Sequence, residues 1–228
     1  MVTIENFFTP DECQYCIELV SDKPVDFFTD KYANNKEVMK VTSATFSSLA
    51  QSKRTSTTWF LNYCTMPTLL AKLTNVLNIS LEQCEEPQIV RYRSGEEFSW
   101  HYDEVPAAQL NNGGQRIATA LVYLNTLEEN KGGGTVFRDL KSPGNHNGQL
   151  TMSPKQGSLL LFFPAFADGT ADDRTLHKGE VALDTKIVAQ MWIHQRQYLP
   201  VVPEGNSHDD AREGIAAKEA ELGFRPKD

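Results

Sequence analysis

The chain lacks a long apolar run. Nothing in its 228 residues approaches the roughly 18 consecutive apolar residues that a membrane-spanning helix requires. Its start, MVTIENFFTPDECQYC, has no basic stretch leading into an apolar one, the pattern of a signal peptide. The expectation is a cytoplasmic protein with no membrane partner. Basic clusters are missing too. The 22 Lys and Arg are outnumbered by 30 Asp and Glu, for a formal charge of −8 at pH 7. A nucleic-acid binder needs a basic footprint for the phosphates, so nucleic acid is not an expected partner, whereas a cationic peptide is compatible. Cysteine is scarce, at Cys13, Cys16, Cys64 and Cys84. Cys13-x-x-Cys16 has no second such pair and no neighbouring histidine to complete a zinc set. Positions three apart share a helix face, and the expectation is two buried thiols. There are no internal repeats and no P-loop. The glycine runs at 111–114 and 131–134 end without Gly-Lys-Ser/Thr and read as turns, as does the stretch from Ser142 to Gly148.

What is present suits one folded domain. Hydrophobic residues make up 40% and aromatic residues 10%, enough to build a core. Residues 1–8 read as an edge strand or lead-in. Thr9-Pro10-Asp11-Glu12 is a helix start, with Thr9 as cap, Pro10 in the first turn and Glu12 closing a capping box. A strand is expected near Glu37–Thr42 and another over Lys53–Leu61, which is rich in β-branched and aromatic residues. Leu69, Leu70, Leu73 and Leu77 have helical spacing and predict a helix from Pro67 to Leu77. From Glu86 onward the pattern changes. PQIVRYR, FSWHYD, RIATALVYLN, GTVF, GQLTM, GSLLLFFP and KIVAQMWIHQRQY are short apolar or alternating runs broken by Gly, Asn, Pro and Asp. Many short strands so spaced predict a mainly β fold, a double-stranded β-helix (a jelly roll, cupin-like), with the N-terminal helices covering one sheet. Residues 1–200 are taken as one domain, with helical support and a substrate-side segment in 1–85 and the jelly-roll core in 86–200. Residues 201–228 are taken as a peripheral tail, helical over Asp209–Leu222.

Chemistry first shows in Trp100-His101-Tyr102-Asp103. In an extended segment, residues two apart point to one side, so His101 and Asp103 place an imidazole beside a carboxylate. Two histidines and one carboxylate on one face of a metal form the facial triad of non-haem Fe(II) oxygenases. The other histidines are His146, His177, His194 and His208. His146 and His208 sit in loop-like and tail segments and are expected at the surface. His177 lies between two strand-like runs, and a jelly roll brings such distant strands together, which makes it the natural third ligand. Lys186 opens the apolar strand that ends the core. Burial there is costly without an anionic partner, and the distal carboxylate of 2-oxoglutarate would be one.

These segments, in this order, resemble the prolyl 4-hydroxylase family of Fe(II)/2-oxoglutarate dioxygenases. The matching text runs from RTSTTWFL through VRYRSGEEFSWHYD, GGQRIATALVYLN, GGGTVF and PKQGSLLLFF to LHKGEVALDTKIVAQMWIH, about residues 54–194. The resemblance implies iron ligation by His101, Asp103 and His177. It implies that Lys186 pairs with the distal carboxylate of 2-oxoglutarate, and that Tyr92, Thr135 and Tyr123 help to hold that cosubstrate. It places Arg116, Trp192, His194 and Arg54 on the substrate side. The cofactors implied are Fe(II), 2-oxoglutarate as cosubstrate and dioxygen, with ascorbate as a candidate reductant. The implied reaction is hydroxylation of peptidyl proline, coupled to decarboxylation of 2-oxoglutarate to succinate, and the implied partner is a proline-containing peptide or protein. Hydroxylation of a free amino acid or another side chain, and a non-catalytic cupin-like metal-binding module, are the alternatives. The chain departs from the family pattern in loops: Asn130 and Lys131 are extra, and Glu180-Val181-Ala182 replaces Gly-Pro-Val. Oligomeric state and the identity of the substrate are left open.

Overall fold

A computed structural model describes residues 1–21, 39–42, 54–142, 145–201 and 206–224. The expected strand residues Glu37, Val38 and Lys53 lie outside these, as does the side chain of His146.

Two antiparallel sheets carry the fold. Their strands are β1 (Val2–Ile4), β2 (Met39–Thr42), β3 (Thr57–Phe60), β4 (Gln88–Tyr92), β5 (Phe98–His101), β6 (Arg116–Tyr123), β7 (Thr135–Ser142), β8 (Asn145–Met152), β9 (Leu159–Phe162), β10 (His177–Gly179) and β11 (Lys186–His194). The larger sheet has the order β1-β9-β6-β11-β4-β3-β2 and the smaller β5-β10-β7-β8. The pairings β9-β6, β6-β11, β11-β4, β5-β10 and β10-β7 join strands distant in sequence, as a double-stranded β-helix requires, while β2-β3-β4 and β7-β8 pair in chain order. β11 sits mid-sheet between β6 and β4, so its residues are paired on both sides. That position suits its composition, since KIVAQMWIH alternates two apolar or buried faces.

The alternation sorts the residues of the large sheet into two cores. Ile89, Ala118, Ala120, Val122, Ala189, Met191 and Ile193 face outward onto helices, in a cluster with Cys13, Cys16, Leu69, Leu70 and Leu73. Those helices are α1 (Pro10–Glu18) and α2 (Pro67–Leu77). The capping box at Thr9 and Glu12 is formed, and Cys13 and Cys16 are buried. Burial pushes the Cys13 thiol up to about 11, in keeping with the expected buried thiols. The opposite face of the sheet, with Val90, Tyr92, Leu121, Tyr123 and Val188, meets Phe137, Leu150 and Phe162 between the two sheets. The site lies on this inner face.

Two expectations change. Residues 145–148, where the sequence predicts part of a turn, belong to β8, with Asn145 opposite Ser142. His208 is buried, not at the surface: its ring packs 4.3 Å from that of Tyr63 and Nε2 lies 2.9 Å from the Cys84 carbonyl. The segment before it is also tied down, because the Asn206 side chain accepts from the Tyr63 backbone N–H at 3.0 Å. A third helix, α3 (Arg212–Glu221), follows, with Ile215 buried in the helical core cluster. No helix of the described residues is long and apolar enough to cross a membrane.

Candidate metal centre and cosubstrate pocket

Strand register builds the first half of the site. β10 pairs with both β5 and β7, and His177 stands opposite His101. Asp103 follows β5 by two residues and is buried. One ligand atom from each of His101, Asp103 and His177 lies within 4.8 Å of the others, the only such group of three among the described residues. His101 Nε2 is 3.7 Å from Asp103 Oδ1, and His177 Nε2 is 3.9 Å from Asp103 Oδ2. These gaps are wider than hydrogen bonds and narrow enough for one ion to reach all three donors.

The imidazoles are aimed from behind. His101 Nδ1 lies 2.7 Å from the Ser99 carbonyl and His177 Nδ1 lies 2.9 Å from that of Thr175. A carbonyl only accepts, so each Nδ1 carries the hydrogen and each Nε2 lone pair faces Asp103. Metal-binding histidines are oriented this way. Burial, and then His177, push the His101 imidazolium well below its usual range, which keeps the ring neutral. Burial works to raise the Asp103 carboxyl, but its neighbours, the two imidazoles first and then the Thr119 hydroxyl, outweigh it and leave it ionised. Two neutral nitrogens and one anionic oxygen form a set that fits a divalent iron. Phe98 stacks on His101 at 3.5 Å, and Phe137 and Phe162 flank His177, so the rings have little freedom to turn.

The Thr119 hydroxyl on β6 donates to Asp103 Oδ2 at 2.7 Å. Nothing in its sequence context marks Thr119 as part of the site. Replacement by valine keeps the shape and removes the donor. The iron concentration needed for half-maximal succinate formation should then rise about 10- to 100-fold, the usual scale for a partner of a metal ligand. An unchanged iron requirement would exclude this role.

The second half of the site lies on β4 and β11. Lys186 stands opposite Tyr92 and is 3% exposed. Its ammonium is 4.9 Å from the Tyr92 ring and 5.8 Å from the Tyr123 ring. No carboxylate of the described residues is paired with it, and burial lowers it to about 8. A single cavity is lined by the triad and by Tyr92, Thr135 and Lys186. The Tyr123 hydroxyl donates to Thr135 Oγ1 at 2.9 Å. A Cβ added at Gly179 would stand 3.6 Å from the Tyr92 hydroxyl oxygen and 3.8 Å from Lys186 Nζ. Gly133, at φ +72°, folds its loop against the Lys186 stem, where a Cβ would come within 2.7 Å of Leu127. A buried cation with Glu180 nearby but no carboxylate in ion-pair contact, two hydroxyls and three metal donors around one cavity fit a small dicarboxylate that also contacts the metal.

The expected substrate-side residues fall into two places. Arg116 forms a two-pronged ion pair with Glu85, at 2.6 and 2.9 Å, and donates to the Asp103 carbonyl at 3.2 Å. Its guanidinium lies 3.6 Å from the centre of the Trp192 ring. His194 is buried beside them, with Nε2 2.5 Å from Glu85 Oε1. Glu85 is therefore a shared anchor, held ionised because His194 and Arg116 outweigh the burial that would raise it. It lies before β4 in a stretch with no distinguishing pattern, so nothing local in the sequence marks it. Arg54 is separate. It donates to Ser56 and Thr58 and sits 4.8 Å over the Phe98 ring, beside His101.

Comparison with known proteins agrees with this geometry. The pattern of the 2OG-Fe(II) oxygenase superfamily matches residues 87–194. Over 215 residues the chain is 32% identical to a probable prolyl 4-hydroxylase (number 10) of Arabidopsis thaliana, covering 85% of this chain and 68% of that protein. Another probable prolyl 4-hydroxylase of the same plant (number 9) is 31% identical, with 84% and 67% covered. Among solved structures, the viral collagen prolyl hydroxylase of Paramecium bursaria Chlorella virus-1, in its 2OG complex, superposes with a TM-score of 0.57 at 24% identity, covering 84% of this chain and 94% of that one. A Trichoplax adhaerens prolyl hydroxylase, in complex with a hypoxia inducible factor peptide fragment, superposes with a TM-score of 0.58 at 15% identity, covering 85% and 83%. At these identities the structures speak to the jelly-roll fold, and the sequence relatives speak to the family.

Proposed function

The chain belongs to the prolyl 4-hydroxylase family of Fe(II)/2-oxoglutarate dioxygenases, and from that premise we propose that it hydroxylates proline within a flexible peptide or protein. The observation that carries this reading is the pairing of one complete two-histidine, one-carboxylate set with an unpaired buried lysine in the same cavity. Iron bound at the triad supplies the oxidative chemistry, in which 2-oxoglutarate and dioxygen yield succinate and carbon dioxide and one oxygen atom is added to the substrate.

The chain's own residues perform the positioning. His101, Asp103 and His177 offer three donors from one side and leave the cavity side open. Lys186 attracts the far carboxylate of the cosubstrate, and the Thr135 and Tyr92 hydroxyls line its path. Phe98, Leu121 and Val188 keep the cavity walls apolar, which limits water and strengthens the lysine–carboxylate attraction. The groups expected on the substrate side, Arg116, Trp192, His194 and Arg54, stand in fixed pairs near Asp103 and His101, where they would order an arriving chain. Ascorbate, as the reductant, and a cytoplasmic setting without membrane or nucleic-acid partners complete the proposal.

The relatives' names favour peptidyl proline over a free amino acid. The test is mass spectrometry of proline-rich peptides incubated with the protein, Fe(II), 2-oxoglutarate and ascorbate. A gain of one oxygen, localised to proline, is the expected result. Succinate formation with free proline but with no peptide would replace this reading by that of a free amino-acid hydroxylase.

A further inference from the structure

Buried polar atoms without a hydrogen-bond partner are few in folded proteins, because each has given up its bonds to water without a replacement. In this structure Gln88 has two of them, since neither Nε2 nor Oε1 of its side chain has a partner. The residue is 0% exposed. It lies in β4, opposite Gln190 of β11 and Phe60 of β3. Alternation puts Gln88 on the same sheet face as Val90 and Tyr92, the face that holds the site. Gln190 itself lines the cavity of the triad. Two residues further along β11, Trp192 has the same property, with Nε1 buried and unpartnered. The unpartnered Nε and Nη2 of Arg91 are on the opposite face, toward Trp59, and are a separate matter.

An unmet side-chain amide has specific needs. Its oxygen requires a donor and its NH2 group requires an acceptor. A leucine or methionine at this position would fill similar space without either cost. 2-Oxoglutarate cannot meet the need, because its carboxylates and keto group only accept. An extended residue of a polypeptide turns its own N–H and C=O to the same side and offers both. Gln88 stands across the strand pair from Gln190, which lines the cavity of the triad, so a chain held against that cavity is the nearest source of such a residue.

We propose that Gln88 is a specificity-determining residue whose side-chain amide pairs with the main-chain N–H and C=O of one substrate residue, next to the residue that is hydroxylated. This rests on the peptide-substrate reading above. Gln88 thereby favours a polypeptide over a free amino acid. The contact is to the backbone, so it tolerates varied flanking side chains.

The experiment compares the wild type and Gln88→Met on a proline-containing peptide and on analogues in which each peptide N–H flanking the proline is replaced, one at a time, by an ester oxygen. Gln88→Met is expected to raise the peptide KM about tenfold with little change in kcat. Tenfold corresponds to about 1.4 kcal/mol, the worth of one such hydrogen bond. One ester analogue should lose about the same factor with the wild type and nothing further with Gln88→Met. An unchanged KM, or ester penalties equal in both proteins, would overturn the proposal and leave Gln88 as a holder of a buried water. Wild-type protein that turns over a free amino acid but no peptide would overturn the peptide reading and this proposal together. If Gln88→Met melts far below the wild type, Gln88→Asn, which keeps the amide but withdraws it by one methylene, should show the same loss.

Discussion

Replacing Asp103 by alanine should lower succinate formation more than about 100-fold, beyond the 10- to 100-fold range expected for the outer partners of a metal site. The carboxylate is the only anionic donor among the three residues of the metal site. It is also the hub of the local geometry: both imidazole Nε2 atoms face it, Thr119 donates to it, and Arg116 donates to its backbone carbonyl. Without it, two neutral nitrogens remain to hold a dication. His101→Ala should be equally damaging, since it removes one of those nitrogens. Neither change should unfold the chain, because the triad adds little to the apolar packing that builds the cores. Circular dichroism melting separates the two effects. Turnover at the wild-type rate in both variants would rule out this metal centre.

Lys186→Ala should raise the KM for 2-oxoglutarate at least about 30-fold. Removing one partner of a buried charge pair typically costs about 2–5 kcal/mol, because the other charge is left without a counter-ion. The same lysine sets a pH dependence. Its amine titrates at about 8 because burial disfavours the charged form. Below that pH the ammonium is present to meet an anion. Above it the proton must be regained on binding, so the affinity for 2-oxoglutarate should fall by up to tenfold per pH unit. The variant should lack this slope. Stability of the free chain runs the other way. The unfolded lysine stays protonated to near its ordinary value of 10.5, so between about 8 and 10.5 the unfolded state binds more protons and stability rises with pH. An unchanged cosubstrate requirement in Lys186→Ala, or a flat affinity from pH 7 to 9 in the wild type, would refute the role given to this residue.

The linked cluster of Glu85, Arg116, His194 and Trp192 shows how sequence and structure divide the information. Arg116, Trp192 and His194 lie in strand segments whose text resembles the family, so they could be named beforehand. Their arrangement could not. Arg116 stands opposite His194 only through a register that shifts at Ile193, and Glu85 reaches both from a segment some thirty residues upstream of Arg116. Glu85 and Thr119 had no local signal at all. An acid in a loop and a threonine in a strand are both ordinary, and only their partners distinguish them. His208 was misjudged for a related reason. A histidine in a polar tail reads as exposed until the fold brings Tyr63 and the Cys84 carbonyl to it.

What the sequence determined by itself were features that depend on near neighbours along the chain. The capping box at Thr9, the leucine spacing of α2, the alternation in β11 and the placing of His101 beside Asp103 all follow from fixed helix and strand periods. The strand pattern around His177 and Lys186 pointed to both, and the ordered run of family motifs agreed. What the tertiary structure alone decided were the meetings across strands: His177 opposite His101, Lys186 opposite Tyr92, Thr119 on Asp103, and the unpartnered amide of Gln88. The physical reason is register. A strand's period says which residues share a face, but a shift of one residue against its partner would turn each of them to the other side. That choice is made by the packing of both cores together, and no single segment contains it.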